Sequence, residues 1–367
     1  MAAKPRFDGE WVRLGELCTP KQWKSLKQSE MTSDGYPVYG ANGVIGCYSE
    51  YNHAEETILV GCRGTCGEIN LCAPYSYVTS NAMCLDKLSE RVDRDYLICF
   101  LKAYNFEKVV GGTSQPQITK AGISSIEIPL FSLEQQTAIR LRLKSILDEL
   151  LSCKALLEKL DALVKSRFVE MFGDPTVPDG SWPVSRLDGF TKIITGNTPS
   201  RKHTEYYGDG IEWVKTDNIV DSAITIASER LSEIGRSKAR VAPMGSVLMA
   251  CIAGSVKSIG KVGLLDREAA FNQQINAIVP TDVVDSRYLL TMFTLSKNYL
   301  CSDVNQQLKG ILNKSSLSSK QFPLPPLALQ QEFASFVAEV DKSRFIVQKQ
   351  IEKLQMLYDS LAQEYFS

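Results

Sequence analysis

The stretch SLEQQTAIRLRLKSILDELLSCKALLEKLDALVKSRFVEMF, Ser132 to Phe172, decides the fold of this chain. Its apolar residues step by four and three, at Ile139, Leu143, Ile146, Leu150, Cys153, Leu157, Leu160 and Val164. That spacing keeps one seam of a long helix dry and is the heptad pattern of a coiled coil. About 40 residues at roughly 1.5 Å each make a rod on the order of 60 Å long, longer than a single globular core requires. The expectation is a strut that separates what flanks it.

A shift of 194 positions lays Ile118–Phe172 over Leu312–Phe366 without a gap. Lys120 meets Lys314, Pro129-Leu130 meets Pro323-Leu324, Glu158-Lys159-Leu160 meets Glu352-Lys353-Leu354, and Phe172 meets Phe366. The seam returns as Phe333, Val337, Val340, Val347, Ile351, Leu354, Tyr358 and Leu361. Arg344 stands where the first copy has Leu150. It either carries its charge outward to water or fixes the register of pairing.

The 367 residues suffice for two or more domains with sizeable cores. The opening MAAKPRFDGEW lacks the apolar core of a signal peptide, and no apolar run approaches the ~18 residues needed to cross a membrane. A cytoplasmic protein without membrane contact is expected. A formal net charge of -1 argues against coating nucleic acid by bulk electrostatics but leaves local basic surfaces open. Of the ten cysteines, Cys62, Cys66, Cys72 and Cys84 lack the paired short knuckles of a zinc site, and nothing near Cys251 in the second half corresponds to Cys66. Structural cysteines and no metal are expected.

In chain order the first globule takes residues 1–131, with short β-prone segments such as YPVYGANGVIGCYS and ETILVGCRGTCGEINLC between glycine turns. The first rod follows over 132–173, where Gly173 is a helix stop, and then the proline-bearing linker 174–181. The plan restarts in a second globule over 182–325 and ends in the second rod, 326–367. Arg186-Leu187 echoes Arg13-Leu14, Ala250-Cys251 echoes Gly61-Cys62, and Phe271-Asn272-Gln273 takes the place of Ser80-Asn81-Ala82. The fold expected is mixed α/β: two similar globules and two long helices forming an antiparallel coiled coil, an internal repeat about a pseudo-two-fold axis.

Catalytic signatures are missing. No phosphate-cradling loop, dinucleotide fingerprint or adenine-methyltransferase motif is present, and His53 and His203 read as solvated loop residues, not general bases. What remains is a scaffold holding two similar globules. Antiparallel rods would relate them by an approximate two-fold axis, and duplex DNA is met by symmetric readers at half-sites roughly 34 Å apart. Two unlike globules would then read an asymmetric bipartite sequence. The alternative is a coiled-coil interaction protein whose globules bind protein or glycan ligands.

The order globule, helix, globule, helix, with GANG at Gly40–Gly43, TGNTPS at Thr195–Ser200, FNQQI at Phe271–Ile275 and the Leu-x-x-Gln helix starts after Pro129 and Pro323, resembles the specificity subunits of type I restriction-modification systems. The likeness covers essentially the whole chain. It implies that each globule is a target recognition domain, that the helices form the spacer and dock two modification subunits, and that restriction subunits join the larger complex. It also implies a subunit with no catalysis or cofactor of its own, S-adenosylmethionine being bound by the methyltransferase partners.

Base readout needs paired donors or acceptors, and phosphate contact needs cations. In the first globule Lys24, Lys27, Tyr39, Asn42 and Arg63 lie in glycine-rich loops; in the second, Arg201, Lys202, Lys215, Asp217, Asn218, Ser255, Lys257 and Gln273 are the counterparts by residue type. The lysines suit phosphate positioning, whereas Asn42, Arg63, Asn218 and Gln273 suit base edges. The loops GTSQPQ and VNQQLKG before the rods add Gln115, Gln117 and Lys309.

Overall fold

The structure, a computed structural model, describes residues 9–112, 116–224, 227–252, 258–302 and 311–366. It divides into two compact units, Met1–Ala155 with Gln348–Ser367, and Leu156–Val347. Each unit therefore holds one globule, part of one rod and part of the other. No helix among the described residues is long and apolar enough to cross a membrane.

The first unit is built on an antiparallel sheet in the order Thr19–Gln22, Ala82–Asp86, Thr57–Gly61, Ile69–Cys72. Side chains alternate along its inner strand: Ile58 and Val60 enter the larger core with Tyr96, Phe100 and Leu143, while Leu59 enters a smaller one with Val78 and Cys84. A strand covered on both faces has no polar alternation to show, which is why ILVGC is apolar throughout. A second sheet pairs Tyr36–Gly40 antiparallel with Gly43–Tyr48 and parallel with Tyr77–Val78. Glu10–Arg13 closes against Glu127–Leu130 just before the first rod.

The second unit repeats this plan. Its main sheet runs Thr191–Thr195, Ile275–Pro280, Val247–Ala250, Val262–Leu265, with Ala223–Ile224 added at the edge. Val247 and Met249 enter one core, Leu248 and Ala250 another. The second sheet is again a hairpin-like antiparallel pair, Tyr207–Val214 with Glu229–Leu231, extended in parallel by Ala269–Phe271. Val184–Arg186 pairs with Gln321–Pro323 before the second rod.

The rods are single helices, Leu133–Phe172 and Leu327–Phe366, of 40 residues each. Ser132 and Gln135 exchange backbone-to-side-chain hydrogen bonds at the start of the first, a capping box. Gly173 ends it at φ +78°, donating its N–H to the Val169 carbonyl. Within each unit the rods run antiparallel: Arg142 donates to Tyr365 and Gln350 to Glu149 in the first, Arg344 pairs with Asp161 and Arg167 with Glu332 in the second. Ile139, Leu143, Ile146, Leu150, Cys153, Val164, Phe333, Val337, Val340 and Val347 are buried, and Leu157, Leu160, Ile351, Leu354 and Tyr358 half-buried.

Arg344 does not carry its charge out to water. It bridges Asp161 of the facing rod at 2.7 Å and Asp341 one turn back at 2.6 Å. Both carboxylates are largely exposed, so the net worth of the two bridges is small. Arg344→Leu, the first copy's residue, is expected to leave the second unit within about 1 kcal/mol of its present stability or to stabilise it. A urea titration followed in that unit checks this.

Candidate nucleic-acid interface

In the first unit, chain geometry brings several polar side chains to one edge of the main sheet. Gly61 is the pivot, since a Cβ there would lie 2.3 Å from the Thr65 carbonyl and 2.8 Å from that of Ala41. The absence of a side chain lets the Asn42 turn, with Gly43 at φ +96°, close over the turn that carries Arg63. Cys62 N–H donates to the Asn81 carbonyl at 2.9 Å, and Arg63 bridges to Gln117. Gln22 reaches Ser80 and Cys62, so the strand leading to Lys24 ends at the same edge. Asn42, Arg63, Asn81 and Gln117 are all exposed. Gly61→Ala is expected to cost the first unit about 1–3 kcal/mol, because backbone rather than a flexible side chain must move. A denaturant titration should show the first unit's transition lowered and the second's unchanged.

Among the first-globule candidates, Lys24 and Lys27 are exposed, with Lys27 N–H held by Glu30 at 2.7 Å. Tyr39 is half-buried, and its hydroxyl accepts from Ala73 N–H at 3.2 Å, so packing occupies it.

The second unit assembles a corresponding edge. The backbone of Leu312 donates to Cys251 at 2.9 Å as that of Ile118 donates to Cys62 at 3.0 Å, and Ile252 bridges Ile311 as Arg63 bridges Gln117. The ungapped repeat thus begins, in both units, where the pre-rod segment docks on this edge. Gly196 seats the TGNTPS loop against the carbonyls of Phe271 and Asn272, and Asn272 N–H donates to the carbonyl of Val214, the residue before Lys215. Lys215 N–H donates to Asn218 Oδ1 at 2.9 Å.

One carboxylate organises the cations there. Glu229 accepts from Lys215 and from Arg201, both at 2.7 Å, and the Arg201 guanidinium lies 4.7 Å from the Tyr207 ring centre and 5.5 Å from that of Trp213. The Lys215 hydrogen bond, then that of Arg201, holds Glu229 below the usual carboxylate range. Lys202, Asp217 and Gln273 are exposed. Gln115, Ser255, Lys257 and Lys309 lie outside the described residues.

Several residues at these edges are not among the contact candidates of the sequence: Gln22, Asn81, Asn197, Glu229, Lys238 and Arg240. Asn197 receives Arg240 N–H and donates to the Lys238 carbonyl, both at 2.7 Å, which fixes a basic segment against the TGNTPS loop. The basic run RSKAR was visible, but not what it touches. The echo of Ser80-Asn81-Ala82 in Phe271-Asn272-Gln273 is out of structural register by two residues. Cys62 N–H donates to the Asn81 carbonyl whereas Cys251 N–H donates to that of Gln274, so the hydrogen-bond register equates Asn81 with Gln274.

The histidines divide. His203 is exposed, stacked on Tyr206 and paired with Glu205, as a loop residue should be. His53 is buried, contrary to expectation, with Nδ1 2.8 Å from Asn52 and Nε2 3.1 Å from Asp86. A β-bridge to Ser76 pulls its loop onto the sheet. Cys62, Cys72 and Cys251 are buried as small apolar residues, and burial pushes their thiols up, to about 12 for Cys251, whereas Cys84 is buried beside His53 and Asp86.

Fold and edges together define a class: an internally duplicated binding scaffold with one polar, glycine-shaped edge in each unit. Residues 8–162 and 180–356 match the family described as the type I restriction modification DNA specificity domain, and the chain belongs to that family. It is 32% identical over 116 residues to the type I restriction enzyme HindI specificity subunit of Haemophilus influenzae, a match covering 31% of this chain and 24% of that one. Over 196 residues it is 26% identical to the MjaIX specificity subunit of Methanocaldococcus jannaschii, covering 50% and 44%. The chain thus spans less than half the length of these curated relatives in the matches. In fold it is similar to the S subunit of a type I restriction-modification system from M. genitalium, at TM-score 0.61 and 17% identity over 99% of this chain and 98% of that one. A chain from a type I assembly gives 0.56 at 19% identity, covering 98% and 97%.

Proposed function

We propose that this chain is the DNA sequence-specificity subunit of a type I restriction-modification complex, each globule reading one half of an asymmetric bipartite duplex target. The observation that carries the reading is the matched pair of edges, at Cys62 with Ile118 and at Cys251 with Leu312, dressed with different side chains. Equivalent frames with unlike loops suit two sites that make the same kind of contact with different base pairs.

In this reading Lys24, Lys27, Lys202, Lys215, Lys257 and Lys309 position phosphates, joined by Lys238 and Arg240, while Asn42, Arg63, Asn218 and Gln273 face base edges. Asp217 and Arg201 complete the polar lining, and Ser255 and Gln115 are further candidates for DNA contact. The rods set the unread spacer and dock two modification subunits, which bring S-adenosylmethionine; restriction subunits join the full complex. Leu141, Leu151 and Met356 in the first unit, and Leu163, Phe345 and Ile346 in the second, leave large apolar side chains exposed along the rods, which supports docking of a protein partner there. The chain supplies recognition and no catalytic group, and works in the cytoplasm where its DNA is.

Exchanging Trp182–Pro323 for the corresponding part of another family member, with methylation of genomic DNA mapped by single-molecule sequencing, is expected to change one half of the motif only. A heptad inserted into both rods adds about 10 Å and should lengthen the spacer by roughly three base pairs. Unchanged halves and an unchanged spacer would overturn the reading.

A further inference from the structure

We propose that His53, Cys84 and Asp86 of the first unit form a binding site for a divalent transition-metal ion, zinc by the chemistry of its donors. This goes beyond DNA recognition and does not depend on it.

Hydrogen bonding by Asn52 fixes the tautomer of His53. The Asn52 amide is fixed by the backbone of Val78: its Nδ2 donates to the Val78 carbonyl at 3.0 Å and its Oδ1 accepts from Val78 N–H at 2.8 Å. Oδ1 therefore faces His53 Nδ1 as an acceptor, at 2.8 Å, and Nδ1 must carry the hydrogen. In the neutral ring Nε2 is then a bare lone pair, and it lies 3.1 Å from Asp86 Oδ1, also an acceptor when ionised. Two facing acceptors hold either a proton or a metal ion between them.

A third donor converges on that point. Cys84 and Asp86 alternate along the strand Ala82–Asp86 and so share one of its faces. The ligand atoms of His53, Cys84 and Asp86 all lie within 4.8 Å of one another, and Cys84 and His53 are buried. Tetrahedral zinc, with bonds of about 2.0–2.3 Å to N, O and S, needs its ligands roughly 3–4 Å apart, so a closure of about 1 Å forms the set. One imidazole, one thiolate and one carboxylate make the loaded site neutral, as burial demands. Asn52 then acts as the outer hydrogen-bond partner that orients a metal-bound histidine. Binding displaces the Cys84 thiol proton, and any proton on Nε2, to solvent. The ion would clip the His53 loop of the second sheet to the main sheet, stiffening the frame from which the Asn42 turn projects.

Cobalt(II) titration of the full chain tests this. The expected result is one ion per chain with a thiolate-to-cobalt absorption band, displaced by zinc(II), lost in Cys84→Ser, kept in Cys301→Ser, and accompanied by quenching of Trp23, whose ring lies 5.3 Å from that of His53. Asn52→Ala should weaken cobalt binding on the order of 10–100-fold. Absence of the band in the folded wild-type chain, or a band that survives Cys84→Ser or His53→Asn, overturns the proposal and leaves a proton as the species shared by His53 and Asp86.

Discussion

Replacing Phe168 by alanine is expected to destabilise the second unit by about 3–5 kcal/mol, the cost of truncating a fully buried aromatic ring. Phe168 has no exposed surface; it stacks on Tyr288 with centroids 5.2 Å apart and meets Phe172 and Phe333 edge-on at 5.1 and 5.4 Å. Those three rings cannot all collapse into the void, because Tyr288 is pinned by its hydroxyl bond to the Pro323 carbonyl at 2.9 Å. For a unit of this size the loss corresponds to a fall in Tm of roughly 10 °C. The informative part is where the loss appears. Phe168 belongs to the first rod, yet it serves the core of the second globule, so the transition that drops should be the one reported by Trp182 and Trp213. Calorimetry with tryptophan fluorescence measures both.

Gln136→Leu and Gln330→Leu are each expected to cost about 2–4 kcal/mol, one in each unit, although both substitutions bury an apolar side chain at a helix position. Gln136 is fully buried and accepts from Asp93 N–H at 2.7 Å while donating to the carbonyls of Arg91 and Phe131 at 2.9 and 2.8 Å. Gln330 repeats the pattern with Asp285 N–H, Val283 and Pro325. In each unit the amide locks the start of a rod to the N-cap of a helix in the globule, Asp93 or Asp285. Leucine leaves those backbone groups without partners, and the penalty of an unmade bond exceeds the gain from burial. Separate urea titrations should show Gln136→Leu lowering the first transition and Gln330→Leu the second by similar amounts. Equal loss of both transitions in either variant would contradict independent locks.

The Leu-x-x-Gln pattern at Leu133–Gln136 and Leu327–Gln330 was legible as a repeated helix start, but the role of the glutamine was not. A period identifies a face, whereas a polar residue's partners depend on where the Arg91–Asp93 turn arrives. The candidate edges divide in the same way. Glycine-rich loops pointed to Asn42 and Arg63, since glycine marks close backbone approach. Glu229 was missed because its importance comes from two cations, Arg201 and Lys215, delivered by other segments. His53 was misplaced because a hydrophilic neighbourhood, EYNHAEET, conceals a strand bridge.

By itself the sequence determined the two rods, their internal repeat and the alternation of globule and helix, because heptad spacing and an ungapped self-match are properties of residue order alone. Tertiary structure decided which globule each rod end stabilises: Phe168 and Phe172 pack with Tyr288, and Phe366 with Tyr96 and Phe100. It also decided which loops meet at each edge. Those outcomes depend on contacts between residues far apart in the chain, and no local periodicity encodes the direction from which a distant side chain arrives.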